Sequence, residues 1–152
     1  MRGLVLDFGG VLGGPGADAE LMAGVVVDAR RRGIRTAILS NDPGGPGARR
    51  LRDLAGSFVD EVVLSGDVGI AKPDRRIYEL TAARLGLAPF ECVFVDDLAG
   101  NVRAAAAAGM VGVHHVDAVA AVEEIAILLD SGICRDSGGG DPAVEGSEGR
   151  GR

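Results

Sequence analysis

Aromatic residues are scarce in this sequence. They make up 3% of the 152 residues, and tryptophan is absent, so aliphatic side chains and alanine must fill the interior. The hydrophobic fraction of 47% and the charged fraction of 25% are those of an ordinary globular protein. The length is sufficient for one domain with a hydrophobic core of its own.

Cysteine is also rare, with Cys92 and Cys134 as the two examples. Two isolated cysteines provide neither a disulfide framework nor the paired spacing of zinc ligands. Cys92 lies in an apolar run, where a small buried hydrophobic side chain is the simplest interpretation.

The sequence has no excess of positive charge and no long hydrophobic run. Its net charge is −6, which argues against general nucleic-acid binding, because such proteins need a basic face to neutralise phosphates. No apolar run is long enough to span a bilayer, and Asp7 comes too early for a secretory signal. We therefore expect a cytoplasmic protein with neither nucleic acid nor membrane as a partner.

Lysine is nearly absent. Lys72 is the one lysine, and all the other basic residues are arginine. Chance is one explanation, since some residue has to be the last lysine. The other is a site that needs a compact, rotatable ammonium between anions, where a planar guanidinium is not equivalent.

Short apolar runs alternate with helical segments along the chain. The runs predict strands at 4–8, 36–39, 58–64, 92–95 and 110–113, and the helical segments lie at 18–32, 48–55, 74–85, 100–108 and 116–129. Almost wholly apolar strands that alternate with helices are typical of a parallel sheet covered on both faces. We predict a three-layer α/β/α, Rossmann-like core of about five parallel strands over residues 1–133. Residues 134–152 are rich in glycine, serine and acidic residues, which predicts a disordered tail.

Polar residues stand where the predicted strands end: Asp7, Ser40, Lys72 and the pair Asp96 and Asp97. Each alone has an ordinary explanation as a helix cap or a turn residue. Right-handed crossovers, however, bring the carboxyl ends of parallel strands to one edge of the sheet, where ligands bind. We therefore expect these side chains to converge.

The residue types at this edge suit phosphate chemistry. Clustered carboxylates repel one another unless a cation lies between them, and hard oxygen ligands favour Mg²⁺. A carboxylate can attack phosphorus to form an aspartyl-phosphate. A lysine and a hydroxyl can hold the phosphate oxygens as charge shifts during the reaction.

Four segments resemble, in order, the four signature motifs of the haloacid dehalogenase-like hydrolases. They are residues 4–11, 38–41, 72–74 with 65–69 before them, and 93–101. The resemblance extends over about residues 3–129. It implies a haloacid dehalogenase-like core and a Mg²⁺-dependent phosphomonoester hydrolase.

The resemblance also implies a metal site. Asp7 is then both the nucleophile and a metal ligand, and the backbone carbonyl of Gly9 is a second ligand. Asp97 is a third ligand, and Asp96 acts directly or through water.

The remaining implied roles concern the phosphate. Ser40 and the backbone amide of Asn41 bind it, and Lys72 bridges it to Asp7. The substrate is then a phosphorylated small molecule or an exposed phosphate on a larger molecule.

Two features depart from the family pattern. The first motif usually carries a second aspartate as general acid, and Gly9 stands at that position. The stretches from Asp7 to Ser40 and from Ser40 to Lys72 leave no room for the cap domain of many relatives. An uncapped site is open to water and to large substrates, unless a second subunit of a homo-oligomer covers it.

These departures leave two alternatives to a phosphatase. One is a catalytically weak or inactive protein that binds phosphate and has a regulatory role. The other is a dehalogenase-type hydrolase of carbon–halogen and related bonds, for which Gly9 is the only support. The acidic pair Asp96 and Asp97 argues against it, because the dehalogenase branch usually lacks this pair and works without metal.

Overall fold

The computed structural model describes residues 1–130, in which five parallel strands form one sheet. The strands are β1 (Gly3–Leu6), β2 (Arg35–Ser40), β3 (Glu61–Leu64), β4 (Cys92–Asp96) and β5 (Val111–His114). Their order across the sheet is β3-β2-β1-β4-β5, and every neighbouring pair is parallel. The predicted α/β fold with a parallel sheet is confirmed.

Helices cover both faces of this sheet. They are α1 (Ala19–Arg31), α2 (Arg49–Arg52), α3 (Ser65–Val68), α4 (Arg75–Arg84), α5 (Ala99–Ala107) and α6 (Ala118–Asp130), with 3₁₀ turns at Pro46–Ala48 and Pro89–Glu91. Side-chain caps fix the starts of two of them. Asp18 accepts a hydrogen bond from the backbone of Leu21 at α1, and Asp74 accepts one from Arg76 at α4.

The alternation of side chains along each strand divides the interior into two cores. In β1, Leu4 and Leu6 pack on the α1 and α6 side, and Val5 packs on the α4 and α5 side. All four residues of β1 are buried, which explains why this strand is apolar at every position. Phe94 of β4 meets Tyr78 edge to face, with ring centroids 5.2 Å apart.

The region between β2 and α4 differs from the prediction. The helix expected at 48–55 is only the turn Arg49–Arg52, because the chain reverses at Gly56, which has φ +83°. Residues 58 and 59 donate their amides to the carbonyl of Leu54 in this turn, so β3 begins later than expected, at Glu61. The segment between the predicted strand at 58–64 and the predicted helix at 74–85 begins with the helical turn α3, which ends at Gly69 in the left-handed conformation.

The connections between the strands are short. Within residues 1–130, β1 leads to β2 through one loop and α1, and β2 leads to β3 through the 3₁₀ turn and α2, so neither connection contains an inserted domain. No helix in the described range has the length and apolarity needed to cross a bilayer. The end of the predicted core at residue 133 and the predicted tail lie outside the described residues.

Candidate active site

The carboxyl ends of three adjacent strands form the floor of the candidate site. Asp7 follows β1, Ser40 ends β2 and Asp96 ends β4. The pairing register places Leu6 beside both Ile38 and Val95, so these three strands end at nearly the same level. Parallel pairing therefore brings residues from distant parts of the sequence to one edge.

Lys72 lies at the centre of this edge, although it comes from the segment between α3 and α4. Its Nζ is 2.9 Å from Asp7 Oδ1, 2.9 Å from Asp96 Oδ2 and 3.0 Å from the carbonyl oxygen of Leu39. The residue is only 5% exposed, and its ammonium stands 5.6 Å from the centre of the Phe94 ring. All three ammonium protons are thus directed at acceptors, which offsets the cost of burying this polar group.

The side chain of Asn41 fixes the backbone of Lys72. Asn41 Nδ2 donates to the Lys72 carbonyl oxygen, and the Lys72 amide donates to Asn41 Oδ1, each over 2.9 Å. The resemblance in the sequence implied only a role for the backbone amide of Asn41 toward phosphate. The structure shows that its side chain joins the second motif to the third.

Asp96 is held by a network of donors. Its Oδ1 accepts the Leu98 amide at 2.9 Å, and its Oδ2 accepts Asn101 Nδ2 at 3.0 Å as well as the lysine. The hydroxyl of Tyr78 donates to the Asn101 carbonyl, so a buried tyrosine supports the asparagine from behind. Sequence reasoning gave no role to Asn101 or Tyr78. The five-residue spacing from Asp96 to Asn101, on the helix that follows, is a signal that could have found the asparagine.

The two carboxyl groups at the lysine differ in their protonation equilibria. Burial raises the pKa of Asp7 to about 6, although the ammonium of Lys72 acts in the opposite direction. Burial also acts to raise the pKa of Asp96, but Lys72, the Leu98 amide and Asn101 outweigh it, and the pKa is lowered. Asp96 is therefore the permanent counter-ion of the lysine, and Asp7 is the carboxylate that is costly to ionise.

Three carboxylates are placed to hold a metal ion. Oxygens of Asp7, Asp96 and Asp97 lie within 4.8 Å of one another. Hard, negatively charged oxygens at this spacing fit Mg²⁺, which accepts one or two carboxylates and retains waters or phosphate oxygens. The donor set formed by these three carboxylates therefore suits the predicted cofactor.

Gly10 lies against the third of these carboxylates. Its φ of +78° is in the left-handed region, and a Cβ atom built on it would stand 2.7 Å from Cγ of Asp97. Glycine is thus required here both for the backbone turn and for the close approach of Asp97.

Ser40 and Gly9 have space around them. Within residues 1–130, the Ser40 hydroxyl makes no hydrogen bond, although the residue is only 7% exposed. A Cβ atom at Gly9 would meet no atom within 4 Å, and its backbone is outside the left-handed region. The structure therefore leaves an open volume at the position where the first motif usually has its second aspartate.

The adjacent histidines after β5 have separate environments. His114 Nε2 is 2.9 Å from the carbonyl oxygen of Asp97, whereas His115 is buried and its Nε2 has no hydrogen-bond partner in the described part of the chain. They do not form a shared site, in line with the alternation of side chains along a strand.

A parallel α/β sheet whose carboxyl edge holds a lysine between two buried carboxylates, with a third carboxylate beside them, belongs to the class of sites that can bind a metal ion together with an anionic group. The comparisons with known proteins narrow this class. The sequence profile of haloacid dehalogenase-like hydrolase matches residues 15–109, more than half of the chain. The chain belongs to the haloacid dehalogenase-like hydrolase family.

Individual relatives agree with this assignment. The chain is 41% identical over 85 residues to phosphatase MT3486 of Mycobacterium tuberculosis, which covers 55% of this chain and 39% of the phosphatase. An uncharacterized protein from Corynebacterium glutamicum is 41% identical with a TM-score of 0.79, covering 86% of this chain and 96% of that one.

A more distant structure shares the fold. A family enzyme from Bacteroides thetaiotaomicron, in complex with magnesium and inorganic phosphate, has a TM-score of 0.58 at 14% identity and covers 75% of this chain and 93% of its own. The chain spans less than two thirds of the length of the curated relatives that it matches.

Proposed function

We propose that this protein is a Mg²⁺-dependent phosphomonoester hydrolase that acts through an aspartyl-phosphate on Asp7. The observation that carries the proposal is the contact of Lys72 with both Asp7 and Asp96, beside the carboxylate of Asp97. The phosphatase activity named for the mycobacterial relative supports it, as does the magnesium and phosphate bound by the enzyme of the same fold.

The metal ligands in this proposal are Asp7, Asp97 and the backbone carbonyl of Gly9, with Asp96 acting directly or through water. A bound Mg²⁺ would supply positive charge that neutralises the phosphate and the clustered carboxylates. Gly10 leaves room for Asp97 to turn its carboxylate toward this site.

Asp7 is the nucleophile of the proposal. Its Oδ1 accepts the Lys72 ammonium and the Phe8 amide, at 2.9 and 2.8 Å. Its Oδ2 accepts no hydrogen bond from residues 1–130, so this oxygen keeps its lone pairs for attack on phosphorus. The two donors at Oδ1 hold the carboxylate in one orientation while the other oxygen reacts.

Ser40, the backbone amide of Asn41 and Lys72 bind the phosphate. The Ser40 hydroxyl, which has no hydrogen-bond partner within residues 1–130, is free to donate to a phosphate oxygen, and the ammonium of Lys72 lies where negative charge accumulates. The substrate is a phosphorylated small molecule or an exposed phosphate on a larger one, because the connections after β1 and β2 contain no inserted domain to restrict access.

The test is phosphate release from a panel of phosphomonoesters, with and without Mg²⁺, for the natural sequence and Asp7→Asn. We expect release that requires the metal and is abolished by the substitution. Asp28→Asn, which changes an exposed carboxylate in the last turn of α1, is the matched control and should retain activity. Equal turnover by Asp7→Asn and the natural sequence, with both proteins folded, would contradict the proposal.

A second candidate is a phosphate-binding protein with little or no turnover. The absence of a side chain at Gly9 favours it, because general acid catalysis is typically worth about 10²–10⁴-fold in rate. This candidate predicts that Mg²⁺ with inorganic phosphate raises the melting temperature while no member of the panel is consumed. A dehalogenase-type activity would instead appear as halide release that persists in EDTA.

A further inference from the structure

Gly9 leaves the site without a side chain where a proton donor for the leaving group would stand. The position is two residues after Asp7, and a Cβ atom there would have no neighbour within 4 Å. An oxygen that leaves phosphorus near this point has open space beside it instead of a carboxylic acid.

The charged groups Lys72 and Asp96 are already engaged. The protons of the Lys72 ammonium are directed at Asp7, Asp96 and the Leu39 carbonyl, so none remains for a leaving group without loss of one of these contacts. Asp96 accepts from the lysine, from Asn101 and from the Leu98 amide, and it has the role of an acceptor in all of them.

The one histidine ring at the rim is also committed. His114 Nε2 is 2.9 Å from the Asp97 carbonyl, an acceptor, so this nitrogen carries its proton toward the backbone. The Ser40 hydroxyl is assigned to the phosphate and is too weakly acidic to act as a general acid, and Asp7 and Asp97 are assigned as nucleophile and metal ligand. Within residues 1–130, no further side chain of the site is placed to donate a proton to the leaving oxygen.

From this geometry we infer the substrate class: phosphate compounds whose leaving oxygen is weakly basic, such as aryl and enol phosphates and acyl phosphates, in preference to alkyl phosphates. The inference rests on the proposed function and names the substrates of the same site. An alkoxide that departs without a proton is a poor leaving group, whereas a phenolate, enolate or carboxylate is stable as an anion.

The proposed reaction has two steps. Asp7 Oδ2 attacks phosphorus while the bond from phosphorus to the leaving oxygen breaks, and the leaving group departs as an anion with that electron pair. Water then attacks the aspartyl-phosphate, the bond from phosphorus to the Asp7 oxygen breaks, and inorganic phosphate is released. The attacking water loses a proton to solvent or to the released phosphate. A leaving anion that is basic enough to be protonated takes a proton from solvent.

The experiment is a leaving-group series of aryl phosphates of graded phenol acidity, together with an alkyl phosphate and acetyl phosphate. The constant to compare is kcat/KM, because it reports formation of the phosphoenzyme, and the second step is common to all substrates. We expect log kcat/KM to fall steeply as the leaving group becomes more basic, with acetyl phosphate among the best substrates and every rate abolished in Asp7→Asn.

Gly9→Asp tests the same inference by placing a carboxyl group at the open position. The open space and ordinary backbone at this position accept the side chain, so we expect the alkyl phosphate to gain more than the aryl phosphates, by up to about 10²–10⁴-fold. Gly9→Asn has nearly the same shape without an acidic proton and should keep the steep dependence of the natural sequence. Melting curves establish whether both variants fold. If Gly9→Asp does not fold, the dependence of log kcat/KM on leaving-group basicity in the natural sequence still tests the inference.

Other outcomes separate the two proposals. Asp7-dependent turnover with a shallow slope would overturn the substrate inference and leave the phosphatase proposal intact. A shallow slope that steepens in His114→Asn would identify His114 as the proton donor and would also overturn the inference. The absence of Asp7-dependent release from every compound, acetyl phosphate included, would overturn both.

Discussion

The side chain of Asn41 and the backbone of Lys72 are joined by two reciprocal hydrogen bonds, each of 2.9 Å. The pair spans 31 residues of sequence and ties the segment after β2 to the segment before α4. Lys72 reaches Asp7 and Asp96 only because its backbone is fixed in this way, since the long side chain has many other rotamers. Asn41 is therefore a positioning residue for the lysine, in addition to its proposed amide contact with phosphate.

Asn41→Ala removes both hydrogen bonds, each worth about 1 kcal/mol. We expect kcat to fall by roughly tenfold to a hundredfold, which corresponds to about 1.4–2.8 kcal/mol in the activation free energy. KM should change less, because the backbone amide remains. Steady-state kinetics measure the two separately. Asn41→Asp keeps the acceptor and loses the donor. If both variants change kcat no more than a surface substitution does, the positioning role is contradicted.

Gly10→Ala should damage the metal site. The new methyl group would overlap the Asp97 carboxylate, and φ of +78° is unfavourable for alanine. We expect weaker Mg²⁺ binding, measured by the metal-induced rise in melting temperature, and lower activity. Gly24→Ala lies in α1, where a Cβ atom meets nothing, and should leave the metal response unchanged. An unchanged metal response in Gly10→Ala would show that Asp97 is not a ligand.

The raised pKa of Asp7 predicts how the stability of the metal-free protein depends on pH. A folded pKa of about 6, above the ordinary value of 3.8, means that ionised Asp7 opposes folding above pH 6, by at most about 3 kcal/mol. This cost diminishes as the pH falls from about 6 toward 4. In EDTA, Asp7→Asn should therefore gain stability relative to the natural sequence between pH 5 and pH 8.

Asp96→Asn is the control for this comparison. The pKa of Asp96 is lowered, so its ionised form stabilises the fold above the ordinary pKa, and this contribution is lost only as the pH falls through the folded value. The substitution should destabilise the protein by a similar amount at pH 5 and pH 8. Thermal unfolding at pH 5 and pH 8 measures the stability of both variants. A pH-independent effect of Asp7→Asn would refute the raised pKa of Asp7.

Lys72→Met should be strongly destabilising in EDTA. Loss of the ammonium leaves Asp7 and Asp96 buried without their counter-ion, and breaking a buried ion pair in this way costs about 3–5 kcal/mol. Arg52→Met breaks the pair with Asp67, in which both side chains are exposed to solvent, and should cost much less stability than Lys72→Met. Urea denaturation compares them. Equal stabilities of the two variants would contradict a stabilising role for the contacts of Lys72 with Asp7 and Asp96.

Much of the fold and part of the site could be predicted from the sequence. Apolar runs at β1 and β4 are unambiguous because both strands are buried on both faces, and the residues that end them follow from the same pattern. The proximity of Asp7, Lys72, Asp96 and Asp97 is a consequence of parallel topology. Their roles in catalysis remain predictions.

The supporting contacts could not be predicted in the same way. The pairing of Asn41 with Lys72 depends on side-chain direction, and the support of Asn101 by Tyr78 joins two helices that are separate in sequence. The short α2 depends on a reversal at Gly56 that competes with local helix propensity. Such outcomes are decided by tertiary packing rather than by periodicity.

The single lysine has a practical consequence for chemical labelling. Reagents that acylate side-chain amines find one target in this sequence, and that target is 5% exposed between two carboxylates. Acylation of Lys72 would remove its charge and leave one proton on nitrogen where the ammonium donates three hydrogen bonds. Coupling through side-chain amines is therefore a reporter of the opening of this site rather than a neutral means of attaching a dye or a surface.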